Sequence, residues 1–391
     1  MATYRLRHFS NPGTLKSIAP HRFLGLLGYY SSFFQQRGCP LPAPNNAQDL
    51  DYSQLVDIFL NPDASTPREL LDALFLIDEM ATPEAMDLLL DAVAESNPGL
   101  AIDSDCTPAD VAVQVWLQDR DLLERKHAER HLLRPKSFEY FKTDRQDIPD
   151  LSTPALTTQR AIEETFDDWF EKKKRGRGSR LFVYPREDDV WFLIRHGQTF
   201  KREESLEGAV VESVCYRPLK YDVAVYNRHL GELRINADLV GEKKLYREQL
   251  AEHLFGDKQF FNINKKYTLE PLRQYGLASM ACGDIEGIES ITLTEVQFFW
   301  GGAYHEIEIR KASDVFASFE ERGSDLPESP LITKAVLKVK FTDSKTARSV
   351  TIRPPNVAQY TRDSDALVLE RWLEQRGFIV HTGVGSHAAV A

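Results

Sequence analysis

Two groups of residues in this chain have the types and spacings that chemistry needs. The first is Asp222, Glu232 and Arg234, a D-x₉-E-x-R pattern. If 221–226 and 232–236 pair as a hairpin, Asp222 and Glu232 can face each other across the ladder, two carboxylates of the type that binds hard cations. Glu163 or Glu164 on the preceding helix would add a ligand, and the strand register stays open at this level. The second is Arg195-His196 at the end of an apolar run. Imidazole is a competent nucleophile at neutral pH, and arginine grips phosphate with two parallel hydrogen bonds. A third set, Glu124, His127 and His131, shares one helical face and has zinc-ligand chemistry. Arg120, Arg125, Lys126, Arg130 and Arg134 on the same stretch would repel a cation, so it reads as a salt-bridged surface helix.

Leu193-Ile-Arg-His-Gly-Gln-Thr199 resembles the nucleophile signature of the histidine phosphatase family. The resemblance covers about seven residues and implies a phosphoryl-accepting His196 with Arg195 holding the phosphate oxygens. Phe200-Lys201-Arg202 stand where that family continues to an Asn. Gly283-Asp284-Ile-Glu286-Gly287 and Gly385-Ser386-His387 are the nearest echoes of its later motifs. The order helix, strands, hairpin, helix over 157–255 resembles the core of the PD-(D/E)xK nuclease fold. That resemblance implies Asp222 and Glu232 as metal ligands, with Mg²⁺ as cofactor. Arg234 stands in place of the usual Lys, and it is a poor proton shuttle because it stays charged. No P-loop, dinucleotide fingerprint or Gly-x-Ser-x-Gly elbow is present.

Charge is distributed unevenly. Residues 49–110 hold fifteen Asp and Glu against one basic residue, Arg68, a local charge of −14 in a chain whose total is −11. Such a surface suits docking to a protein partner. The opposite case is Lys172, Lys173, Lys174, Arg175, Arg177 and Arg180, six basic residues in nine. Glycine-flanked cations of this kind can contact DNA or RNA phosphates by charge alone.

The elements that would position these groups fall into two regimes. At 391 residues the chain suggests two domains. Pro20–Arg37 is apolar and helix-length. Thr66-Pro67, Thr82-Pro83 and Thr107-Pro108 are helix starts, the first with a capping box through Glu69. Asp119–Arg134 is a charged helix, 135–156 a proline-rich connector, and Thr157–Lys174 an amphipathic helix with Ile162, Phe166 and Phe170 on one face. From Leu181 onward the pattern has period two. Strands are predicted at 181–184, 190–195, 209–216, 221–226, 232–236, 291–300, 304–310, 331–341 and 347–353, with a two-residue turn at Gly301-Gly302. Helices are predicted at 242–255, 313–322 and 363–376, and a frayed tail after them.

The fold expected is therefore α+β: an acidic all-α domain (1–145), a connector helix with the basic cluster (146–180), a β-rich mixed domain (181–380) and a flexible tail (381–391). No apolar run reaches the roughly 18–20 residues that span a bilayer, and no secretory signal opens the chain. The four cysteines at 39, 106, 215 and 282 never form C-x-x-C, which fits a reducing cytoplasm. The first functional expectation is a non-catalytic interaction subunit of a bacterial multi-protein system acting on nucleic acid, antiviral defence being a setting that suits the type. It needs no cofactor. The alternatives are the Mg²⁺-dependent nuclease, active or degenerate, and the phosphoryl hydrolase.

Overall fold

The structure, a computed structural model, describes residues 5–63, 65–96, 102–103, 105–132, 134–207, 210–362 and 365–380. The expected tail, and with it Gly385-Ser386-His387, lies outside the described residues. Contacts divide the chain into two compact units, Met1–His131 with Glu203–Val214, and Leu132–Arg202 with Cys215–Ala391. Helices gather in the first part and strands in the second, so the α+β class expected from the sequence is what the chain adopts.

The first unit contains α1 (Pro12–Lys16), α2 (Pro20–Gly28), α3 (Ser31–Gln36), α4 (Tyr52–Leu60), α5 (Arg68–Glu79), α6 (Pro83–Ser96), α7 (Pro108–Gln118) and α8 (Arg120–Glu129). Their apolar faces meet in one core that includes Phe23, Phe34, Phe59, Leu74 and Val113. The expected single helix over 20–37 is two, because the chain turns at Tyr29-Tyr30. Thr82 and Thr107 cap as expected, accepting from the backbone of Ala85 at 3.2 Å and Asp110 at 3.3 Å. Thr66 does not: it accepts from Asp63 N at 2.9 Å, and α5 starts without a side-chain cap. The acids of this region are mostly exposed, but two are structural. Asp78 is fully buried and accepts from the backbone N–H groups of Arg7, His8 and Phe9, each at 2.8 Å. Asp110, also buried, pairs with Arg22 and accepts from Ala19 N at 2.9 Å. His127 is buried too, edge-on to Phe75 and His131.

The second unit is built on one ten-stranded sheet. Its strands are β1 (Ser137–Lys142), β2 (Arg180–Arg186), β3 (Asp189–Gly197), β6 (Leu219–Asn227), β7 (Glu232–Asn236), β8 (Ile288–Gly301), β9 (Glu306–Lys311), β10 (Leu331–Phe341), β11 (Arg348–Arg353) and β12 (Val357–Gln359). β4 (Lys201–Glu207) and β5 (Val210–Tyr216) form a separate two-stranded ribbon. The sheet order is β2-β3-β6-β7-β1-β12-β11-β10-β8-β9, and each neighbouring pair is antiparallel. The remaining helices are α9 (Leu156–Lys172), α10 (Val240–Phe255), α11 (Glu270–Tyr275), α12 (Val315–Glu321) and α13 (Ala366–Gln375).

Three local readings change. The stretch expected as a connector contains β1, placed mid-sheet between β7 and β12. Its six residues alternate inward and outward but sit among prolines, which masked the period. The second compact unit accordingly begins at Leu132, and β1 and α9 belong to it. Gly301 pairs with Glu306, so the β8–β9 loop has four residues rather than two; Gly301, Gly302 and His305 take the positive φ values that reverse the chain.

The β2-β3-β6-β7 end of the sheet has one face covered by α9 and α10. Ile162, Phe166 and Phe170 from α9 and Leu245, Tyr246 and Leu250 from α10 pack on Phe192, Ile194, Ala224, Leu233 and Ile235. Strand alternation puts His196 and Asp222 on that covered face. No helix among the described residues is long and apolar enough to cross a membrane.

Candidate functional site

The register decides which predicted residues meet. β3 and β6 pair with Ile194 opposite Asp222 and His196 opposite Lys220. His196 and Asp222, taken from the two rival sequence patterns, are thus diagonal neighbours on one face, and His196 Nε2 lies 3.0 Å from Asp222 Oδ2. Tyr246 donates its hydroxyl to the same oxygen at 2.9 Å. Lys220 Nζ sits 2.8 Å from Asp222 Oδ1, 3.5 Å from Glu242 Oε2 and 3.0 Å from the exposed Asp238. Glu242, on the first turn of α10, bonds Arg175 through Oε1 and accepts from Leu239 N at 2.9 Å through Oε2. Phe170 closes the cluster, lying parallel to the His196 ring with centroids 4.2 Å apart.

This network is sealed. His196, Asp222 and Glu242 have side-chain exposures of 0–1%. Burial raises the Asp222 carboxyl, but the hydrogen bond from His196 and the Lys220 charge outweigh it and hold the group below its usual range. Burial lowers Lys220, and the Asp222 charge more than offsets it, so the ammonium is held above its usual range. Burial, then the Asp222 and Glu242 charges, push the Tyr246 phenol well up, so it acts as a neutral donor.

The donor set of His196, Asp222 and Glu242 has metal-ligand chemistry, with one ligand atom from each within 4.8 Å of the others. It does not fit a divalent ion with its present neighbours. Lys220 and Arg175 already neutralise both carboxylates and would repel a further cation. Glu232 is not part of this cluster. It pairs with Asn227 across β6–β7, five residues along the strand from Asp222, roughly 16 Å at the usual strand rise. It also points to the opposite face: Leu233 and Ile235 take the helix-covered side. Asp222 and Glu232 therefore cannot share one ion. Glu232 pairs with Lys266 Nζ at 2.7 Å, Arg234 with Asp189 at 2.8 Å, and Glu163 accepts from Leu181 N at 2.8 Å.

Arg195 and His196 are likewise on opposite faces of β3. Arg195 lies over the Phe182 ring, while His196 is stacked beneath Phe170, so the two cannot cradle one phosphate.

The open chemistry lies at the same end of the sheet, where β2 begins, β3 ends and β6 begins. Arg217, just before β6, packs across the glycines of two neighbouring segments. A Cβ on Gly176 would sit 1.9 Å from Arg217 Nη1, and one on Gly197 would sit 2.4 Å from Arg175 O. Gly176 also has φ +77°. Only glycine permits both approaches. Arg217 Nε is buried without a hydrogen-bond partner, and its guanidinium stacks on the exposed Phe200 ring at 4.6 Å. Arg217, Phe200, Thr199, Gly176, Lys174 and Glu171 line an open hollow of about 580 Å³.

The predicted basic cluster divides around this hollow. Arg175 is committed to Glu242. Arg177 pairs with Asp168 at 2.8 Å and Glu171 at 3.0 Å. Asp167 fixes the loop by accepting from Gly178 N and Ser179 N. Lys172, Lys173, Lys174 and Arg180 remain exposed. Sequence reading missed Arg217, Lys220, Glu242 and Tyr246. Lys220-x-Asp222, an alternating pair of opposite charges entering an apolar strand, was the available signal for one of them.

A scan against protein-family models finds no match to this chain, and a search of curated proteins finds no relative.

Proposed function

We propose that the chain is a non-catalytic interaction subunit. Its α+β unit holds a single strand of nucleic acid at the basic end of the sheet, and its acidic helical unit docks a protein partner. The observation that carries this reading is the Arg217–Phe200 pair in its hollow, flanked by Lys174. A cation for phosphate beside an exposed aromatic face for a base is the minimal equipment of single-strand binding, which needs no base-edge code. Lys172, Lys173 and Arg180 extend the positive surface. Exposed acids such as Asp57, Glu69, Asp72, Glu84 and Asp87 offer the complementary charge that orients a basic partner. The His196–Asp222–Glu242 network supports the loop and strand ends that form the hollow: Arg175 is held by Glu242, and its carbonyl faces Gly197.

Fluorescence anisotropy with labelled single-stranded DNA and RNA tests the reading. Phe200→Ala should weaken binding by about 1–3 kcal/mol, the usual value of one stacked base. Replacing Lys172, Lys173 and Lys174 together should weaken it further and flatten its salt dependence. Wild-type affinity in both variants would remove nucleic acid from the proposal. Mg²⁺- or Mn²⁺-dependent cleavage of the same strands, lost in Asp222→Asn, would instead make the buried cluster a nuclease centre.

A further inference from the structure

A second cavity, of about 420 Å³, lies elsewhere in the α+β unit. Its size suits a small organic ligand rather than a chain. β1, the start of β7, residues 263–266, α13 and residues 379–380 form its walls. Backbone bonds fix these segments to each other. Lys142 and Ile263 exchange N–H···O bonds at 2.8 and 2.9 Å, and Val380 N donates to Lys266 O at 2.8 Å. The walls are therefore preorganised, which limits the entropy lost on binding.

The lining has a directional chemistry. Leu230, Ile263, Leu367, Ile379 and Val380 supply an apolar side. The polar side has four cations, Lys142, Lys265, Lys266 and Arg371, against three carboxylates, Glu232, Glu370 and Glu374. Two of the carboxylates have defined partners. Glu232 holds Lys266 at 2.7 Å, and Glu370 accepts from the Tyr360 hydroxyl. Lys266 also lies 3.9 Å from the centre of the Tyr140 ring, and Arg362 donates to the Tyr140 hydroxyl at 2.7 Å. Among the described residues no ion pair engages the side chains of Lys142, Lys265 or Arg371. With Lys266 and Glu232 paired, three cations face two carboxylates, so the lining carries a net charge of about +1.

We propose that this cavity is a binding site for a small amphipathic organic anion. Its carboxylate or phosphate head faces Lys142, Lys265 and Arg371, and its apolar or aromatic body lies against Leu367, Ile263 and Ile379. Nucleic acid at the Arg217 hollow is a separate matter, and neither site depends on the other.

The probe is 8-anilinonaphthalene-1-sulfonate, an aromatic anion that fluoresces when taken out of water, titrated into the full-length protein. Saturable binding of one equivalent is expected. Lys265 and Arg371 are exposed, so Lys265→Glu with Arg371→Glu should fold normally. It should weaken the probe tenfold or more while the melting temperature holds. Leu367→Trp should weaken it similarly by filling the apolar side. Displacement of the probe by mononucleotides but not by aromatic carboxylates assigns the head to phosphate, and the converse assigns it to carboxylate. Absence of saturable binding, or equal affinity in wild type and both variants, overturns the proposal.

Discussion

Lys220 and Asp222 stand two residues apart on β6, pointing to the same covered face, with Nζ 2.8 Å from Oδ1. Lys220 Nζ also approaches Glu242 Oε2, so one ammonium serves two buried carboxylates. Removing one partner of such a set leaves uncompensated charge in the interior, which costs far more than the set itself contributes. Lys220→Met should destabilise the α+β unit by about 3–5 kcal/mol in denaturant unfolding. A loss below about 1 kcal/mol would mean that water reaches the carboxylates and that the cluster is not sealed.

The same pair contributes to both the acid and the alkaline limb of stability. The Asp222 carboxyl is depressed on folding, so its contribution is present above the unfolded value of about 3.9 and is lost as pH falls through the folded one. The Lys220 ammonium is raised, so its contribution is complete below about 10.4 and is lost as pH rises through the folded value. The contribution of this pair to the unfolding free energy should be level between those limits and decline beyond each. Asp222→Asn should flatten the acid side and Lys220→Met the alkaline side. An acid limb unchanged in Asp222→Asn would show that other carboxylates govern it.

Gly176→Ala tests the seating of Arg217 directly. The new methyl group would meet Arg217 Nη1, and alanine is strained at the +77° φ of this position. Single-strand affinity should fall roughly tenfold, about the share of one or two lost contacts, with a stability cost near 1 kcal/mol. Gly197→Ala should be worse for folding, because its methyl would strike the Arg175 backbone rather than a side chain. Affinity retained in Gly176→Ala would place the bound strand elsewhere.

In the helical unit, Asp78→Ala should cost about 3 kcal/mol. It strips the backbone N–H groups of Arg7, His8 and Phe9 of their acceptor. Hydrogen exchange at these three amides should accelerate most. Asp72→Ala, on the same helix but exposed, is the control and should be near neutral.

Local signals in the sequence were readable where a residue's neighbours along the chain decide its state. Thr82 and Thr107 cap helices because the capping partner is three residues on. Leu331–Phe341 is a strand over the span its period-two pattern marks. Asp222, Glu232, Arg195 and His196 show where such reading stops. Each is chemically able, but partnership depends on strand register and on which face alternation selects. One step of parity separates Arg195 from His196, and five residues of register separate Asp222 from Glu232. Glu242 falls on a helix that the sequence predicts, yet nothing local says that this helix packs over β3 and β6 with its first turn above His196.

The position of β1 has a consequence for how the chain folds. The strand nearest the N-terminus in the sheet lies between β7 and β12, more than two hundred residues from the second of these neighbours. During synthesis β2, β3, β6 and β7 can pair in series and β7 can take one edge of β1 early, but the other edge of β1 stays open until residue 357 has been made. Closing it brings together the most distant segments of the unit, a high-contact-order step that loop-closure entropy makes slow. Until then a growing chain presents an unpaired strand edge, the surface most prone to wrong pairing.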